Sequence, residues 1–158
     1  VTESRARTRA ELSRILMRTG PRIAQLQRRL LGRLDPPLGL SQYSVLARLG
    51  RGTTSMSELR ARSIVSFSTL SETTAGLVRL GLVERTASER DRRSVDLSLT
   101  DKGRRLLAEA EQAMDQMADS IVEGVRPPSE AELSELLTPL ADRVREVLAA
   151  EERGEPEP

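Results

Sequence analysis

The chain has 158 residues, 37% hydrophobic and 31% charged, with no Cys, no His, no Trp, one Tyr and one Phe. These counts fit one ordinary domain, and they exclude disulfides, thiolate and His-based catalysis, Cys- or His-bound metals and an aromatic-rich ligand cage. The net charge of +1 conceals a division, +9 over residues 1–100 against −8 over residues 101–158, so one part suits a polyanion and the other is kept away from it.

Lys102 is the sole Lys among 25 basic residues. Arg suits bidentate phosphate and guanine contacts, although a GC-rich genome that prefers Arg codons is the simpler source of the bias. No stretch approaches the roughly 20 apolar residues of a membrane helix, and no basic-then-apolar leader opens the chain, so a cytoplasmic protein without a membrane partner is expected.

From Leu12, the residues Ile15, Leu16, Ile23, Leu26, Leu30 and Leu34 recur at steps of three and four, the period of one long amphipathic helix. Pro21 cannot donate to the Met17 carbonyl, so a kink or a fresh helical start is expected there. Asp35-Pro36-Pro37-Leu38-Gly39 should stop the helix. Ser41 is placed to cap a short second helix carrying Tyr43, Val45, Leu46 and Leu49, which Gly50-Arg51-Gly52 ends.

Ser55-Met56-Ser57-Glu58 reads as a capping box opening a third helix, with Met56 and Leu59 inward. A turn at Ile64-Val65-Ser66 leads into a fourth helix from about Phe67 to Leu80, with Leu70, Leu77 and Leu80 on one face and Gly81 at its C-cap. The period then shortens to two. Leu82–Thr86 and Val95–Leu99 read as two strands of a hairpin whose charged tip is Ala87–Ser94.

Thr100-Asp101 restarts a helix with a heptad-like stripe through Leu106, Leu107, Ala110, Met114, Met117, Ile121 and Val125. Pro127-Pro128 breaks it. Ser129–Glu132 is a second capping box, opening a last helix that carries Leu133, Leu136, Leu137, Leu140, Val144 and Val147 and that Pro139 should kink. The charged, Pro-containing tail 151–158 is expected to be disordered.

The order of elements predicts a mainly α fold with a small β-hairpin wing: a winged helix–turn–helix over residues 38–100, flanked by long helices over 1–37 and 101–150. The second helix of the pair is narrow enough for the major groove, and the hairpin is long enough to reach phosphates or the neighbouring minor groove. The flanking helices are too apolar on one face to stand alone. They should form a two-fold interface burying above roughly 2,000 Å² in total.

The runs Leu40-Ser41-Gln42-Tyr43-Ser44-Val45-Leu46, Ser66–Ser71, Gly81-Leu82-Val83-Glu84-Arg85, Asp91-Arg92-Arg93 and Leu99-Thr100-Asp101-Lys102-Gly103 together resemble the MarR family of transcription regulators over roughly residues 10–150. The resemblance implies a homodimeric winged-helix protein that binds a double-stranded, pseudo-palindromic DNA operator. It further implies a repressor released by a small aromatic or anionic effector, with no cofactor.

By position, the resemblance places Ser66, Ser68, Thr69, Ser71 and Glu72 towards the groove, with Arg90, Asp91, Arg92 and Arg93 on the wing. Ser66 and Ser68 are also placed to cap the helix. Two departures stand out: no basic residue occurs between Arg62 and Arg79, and Glu72 stands where relatives commonly carry a basic side chain. For an effector, Tyr43, Arg14, Arg18 and Arg22 are the candidates, with Tyr43 as a core residue the plainer reading. Metal sensing would have only carboxylates to use. An enzyme would have only carboxylates, Tyr43 and Lys102, without a paired-carboxylate pattern. The competing function is a winged-helix protein that has lost operator binding and acts through protein contacts.

Overall fold

A computed structural model describes residues 2–61, 67–87 and 95–153. Along these, the chain forms α1 (Thr2–Leu31), α2 (Leu40–Leu49), β1 (Thr54–Ser55), α3 (Met56–Ala61), α4 (Phe67–Arg79), β2 (Val83–Ala87), β3 (Val95–Leu99), α5 (Asp101–Val122) and α6 (Glu130–Arg153). The strands make one antiparallel sheet in the order β1-β3-β2. Val83 pairs with Leu99, Arg85 with Leu97 and Ala87 with Val95 across the hairpin, and Thr54 of β1 meets Leu97 on the other edge. This is the winged helix–turn–helix expected from the order of elements.

Several boundaries differ from the sequence reading. Helix α1 starts before Leu12 and runs unbroken through Pro21, so no fresh start occurs there. It ends at Leu31, before the Pro pair, because the Leu31 carbonyl turns the chain by accepting from Leu34 N at 3.3 Å and Leu38 N at 3.0 Å. Leu34 and Leu38 are nonetheless buried. Ser41 is not the cap of α2. Gly39 is, and Gln42 Oε1 accepts from its N–H at 2.8 Å. At the other end, α6 continues through 151–153, residues expected to be disordered, and it is continuous past Pro139.

Both capping boxes form as their residue types require. Ser55 Oγ accepts from Glu58 N at 3.2 Å while Glu58 Oε2 accepts from Ser55 N at 3.0 Å. Ser129 Oγ accepts from Glu132 N at 3.2 Å, and Glu132 Oε2 accepts from Ser129 N at 2.7 Å. The Arg126 guanidinium, 2.8 Å from Glu132 Oε1, together with the Ser129 bonds holds that carboxyl down at about 2.

One core joins the lobe. Leu46 of α2, Leu59 of α3, Leu70 and Leu77 of α4 and Leu97 of β3 are all at most 1% exposed, and Leu106, Leu107 and Ala110 bring the first three turns of α5 into the same cluster.

The joint between α4 and α5 is built from backbone. Gly81, at φ +68, ends α4 in a Schellman turn: Leu82 N donates to Leu77 O at 3.0 Å and Gly81 N to Val78 O at 2.9 Å. Thr100 caps α5 by accepting from Gly103 N at 3.0 Å, donates its hydroxyl to Gly81 O at 2.7 Å, and sends its own N–H to Leu82 O at 3.1 Å. The Lys102 ammonium reaches Leu80 O at 3.0 Å, a cation on the carbonyl end of a helix. The two sequence runs Gly81–Arg85 and Leu99–Gly103 therefore touch, and together they set the angle at which the last turn of α4 meets the long helix α5.

Beyond the lobe, apolar side chains face solvent. Met17 is 75% exposed; Ile15 and Leu26 on α1, Ile121 and Val122 at the end of α5, and Leu136, Leu137 and Val144 on α6 are exposed as well. Among the described residues, no helix is long and apolar enough to cross a membrane.

Candidate nucleic-acid interface

Helix α4 has two faces because its apolar and polar residues are out of phase. Leu70, Thr74 and Leu77 point into the core at helical spacing. Thr74 is a polar residue at 0% exposure, tolerated because its hydroxyl donates to the Leu70 carbonyl at 2.8 Å. On the opposite side Ser68, Glu72 and Arg79 are exposed, with Thr69 exposed beside them. Glu72 lies mid-way along this outward face, two turns from the nearest basic residue of the helix, Arg79.

The hairpin rises next to that face. Ser71, half-buried on the flank of α4, lines a groove of about 370 Å³ with Ser55, Ser57, Arg85 and Leu97, so α3, α4 and the wing meet at one surface. Val95 borders the same groove and is 45% exposed. The structure thus brings Ser68, Thr69, Ser71 and Glu72 together on the solvent side of α4. Ser66, Arg90, Asp91, Arg92 and Arg93, the remaining members of the expected site, lie outside the described residues.

The effector candidates are more scattered. Tyr43 is half-buried and packs against the core from α2. Burial, followed by the carboxylates of Glu111 and Asp115 on α5, raises its hydroxyl above the usual tyrosine value. The charges that act on Tyr43 are therefore acidic. Arg14 is exposed and ion-paired with Glu11, and Arg18 and Arg22 are exposed on α1.

Sequence reasoning missed two features of this surface. β1 completes the sheet with only two residues, Thr54 and Ser55, which pair with Leu97 and Asp96 far along the chain in β3, so no local period announces it. Phe67, taken only as the start of α4, is 53% exposed, and the Arg60 guanidinium lies 5.2 Å from its ring centroid. Phe67 stands three residues before Leu70 and seven before Thr74, in phase with the buried stripe, so the helical period does not announce its exposure.

The MarR family model matches residues 37–94, which cover α2, β1, α3, α4 and β2 and end just before β3. The exopolysaccharide II synthesis transcriptional activator ExpG of Rhizobium meliloti is 35% identical over 104 residues, 65% of this chain; the chain spans 54% of that protein's length. Among solved structures, the transcriptional regulator BldR from Sulfolobus solfataricus is 25% identical with a TM-score of 0.68, over 90% of this chain and 97% of that one. A variant of MarR from E. coli complexed with operator DNA is 24% identical with a TM-score of 0.63, over 79% of this chain and 92% of that one. The MarR family model matches most of the winged lobe, and the fold is shared with a solved transcriptional regulator along nine-tenths of the chain: this chain is similar to MarR-family regulators in its lobe and in its fold.

Proposed function

We propose that the chain is a cytoplasmic, homodimeric DNA-binding transcription regulator that represses by occupying a pseudo-palindromic operator and is released by a small aromatic or anionic effector. The observation that carries the reading is the outward face of α4, where Ser68, Thr69 and Glu72 stand exposed beside a hairpin bearing Arg85. A helix presented in this way fits the major groove, and an adjacent hairpin reaches the flanking phosphates or minor groove. The complex of E. coli MarR with operator DNA, which shares this fold, supports the same placement.

A gel-shift with the duplex flanking the protein's own gene tests it. A saturable shift that unlabelled random duplex does not remove is the expected result. Absence of any shift would favour the competing reading, in which the lobe acts through protein contacts, and Glu72 in the middle of a face with no basic residue before Arg79 is the observation on that side. ExpG is named as an activator, so the sign of regulation is read separately: a promoter–reporter fusion should rise when the gene is deleted if the chain represses, and fall if it activates.

The apolar surface supports homodimerisation. Water-exposed Ile15, Met17 and Leu26 on α1 and Leu133, Leu136 and Leu137 on α6 would leave a monomer with an apolar area that a second copy can cover, with the two α4 helices then about 34 Å apart, one turn of duplex. Sedimentation at micromolar concentration should give a dimer, and Leu136→Asp with Leu137→Asp should give a folded monomer that binds the operator at least tenfold more weakly. A wild-type monomer under those conditions would refute the assembly.

For the effector, the carboxylates acting on Tyr43 oppose an anion at its hydroxyl, so among the candidates the α1 arginines Arg14, Arg18 and Arg22 are the better suited to an anionic ligand.

A further inference from the structure

Phe67 is one of two aromatic residues in the chain, and it is left half in water at the first turn of α4. Arg60, from the last turn of α3, stacks its guanidinium on the ring at 5.2 Å, and with Met56 and Ser57 the pair borders an open groove of about 480 Å³. Leaving a Phe ring in water forfeits part of the gain of burying it, and the Arg60 guanidinium lies over one face of the ring where it stands.

We infer that Phe67 is a specificity-determining residue that packs against the 5-methyl group of a thymine in the major groove, with Arg60 fixing the ring's position. The inference rests on the DNA-binding reading above. Recognition helices touch base edges with their N-terminal residues, which is where Phe67 lies. From Phe67 to Val78, α4 contains no Arg, Lys, Asn or Gln, so the bidentate readers of guanine and adenine are absent from the helix until its last residue. The thymine methyl is the one apolar group on the major-groove edge, and Phe is among the side chains that read it. Among the described residues the apolar surface beside the ring is a half-buried Met56, with Val95 across the adjoining groove, while Arg60 next to the ring suits a phosphate-lined partner.

The test begins with selection of a duplex site by the wild-type protein, followed by replacement of each thymine with deoxyuridine, which keeps the base pair and deletes only the methyl. One position per half-site should weaken wild-type binding about fourfold, the worth of one buried methyl. Phe67→Ala should bind the all-thymine site at least that much more weakly and show no loss at the same deoxyuridine. Phe67→Leu should keep part of the loss, and Arg60→Gln should reduce it. Because the ring is exposed, melting temperatures of these variants should stay close to wild type. Wild-type binding indifferent to deoxyuridine at every position overturns the inference alone, as does a full deoxyuridine loss retained by Phe67→Ala. Failure of the wild type to select any duplex overturns the DNA-binding reading and this inference with it.

Discussion

Gly103→Ala is expected to unfold about 10 °C below the wild-type chain, a loss of roughly 3 kcal/mol for a protein of this size. Two effects oppose each other. Ala is the better helix former by about 1 kcal/mol, and Gly103 lies in the first turn of α5, so propensity favours the change. Sterics decide against it: a β-carbon there would lie 2.0 Å from the Leu82 carbonyl oxygen and 2.9 Å from its carbon, and both neighbours are backbone. Relief requires α5 to move off the Gly81–Leu82 turn, which breaks the Thr100 N–H bond to Leu82 O and the Lys102 bond to Leu80 O together. Gly81→Ala supplies the comparison. Gly81 has a positive φ but open space around its α-carbon, so only the left-handed strain of about 1–2 kcal/mol applies. Thermal unfolding of the two variants should therefore rank Gly103→Ala below Gly81→Ala. Equal melting temperatures would mean that the α4–α5 joint yields easily.

The same joint explains why much of this fold is legible in the sequence. Where one side chain decides a local outcome, the residue types announce it: Ser55 with Glu58 and Ser129 with Glu132 mark two helix starts, and Gly81 marks a helix end, before any tertiary contact is known. Where the outcome depends on a distant partner, they do not. The strand character of Thr54 and Ser55 exists only because Leu97 and Asp96 lie opposite them. Likewise Leu34 and Leu38 continue the spacing of α1, yet the core draws them into a turn closed on the Leu31 carbonyl. The interface is divided in the same manner. The outward face of α4 follows from knowing which residues point inward, since Leu70 and Leu77 fix the opposite side. An exposed Phe67 does not, because it stands in phase with Leu70 and Thr74, where an aromatic side chain in a helix is by default a core residue.

The second large effect is expected in salt. Operator affinity should fall by about 10³–10⁵ between 50 and 200 mM monovalent salt if the dimer neutralises about 6–10 phosphates, with log K falling roughly 0.9 units per contact per log unit of salt. The +9 balance of residues 1–100 is the basis of this expectation, and the −8 of residues 101–158 should stay away from the duplex. Arg93→Ala, and to a lesser degree Arg92→Ala and Arg90→Ala, should weaken binding to all sequences and flatten the slope by about one contact per subunit, because phosphates and groove width carry little base identity. Glu72→Ala should act in the opposite sense. It removes an exposed carboxylate from the middle of the outward face of α4, the face proposed to meet DNA, so non-specific affinity should rise. At the same time any cytosine whose amino group the carboxylate accepts from loses its reader, and discrimination there should fall by roughly 1–3 kcal/mol. Specific and non-specific constants measured at two salt concentrations separate the two kinds of residue. If both constants weaken in parallel for Glu72→Ala, the outward face of α4 is not the one that meets the bases, and an affinity unchanged across the salt range would remove the electrostatic mode altogether.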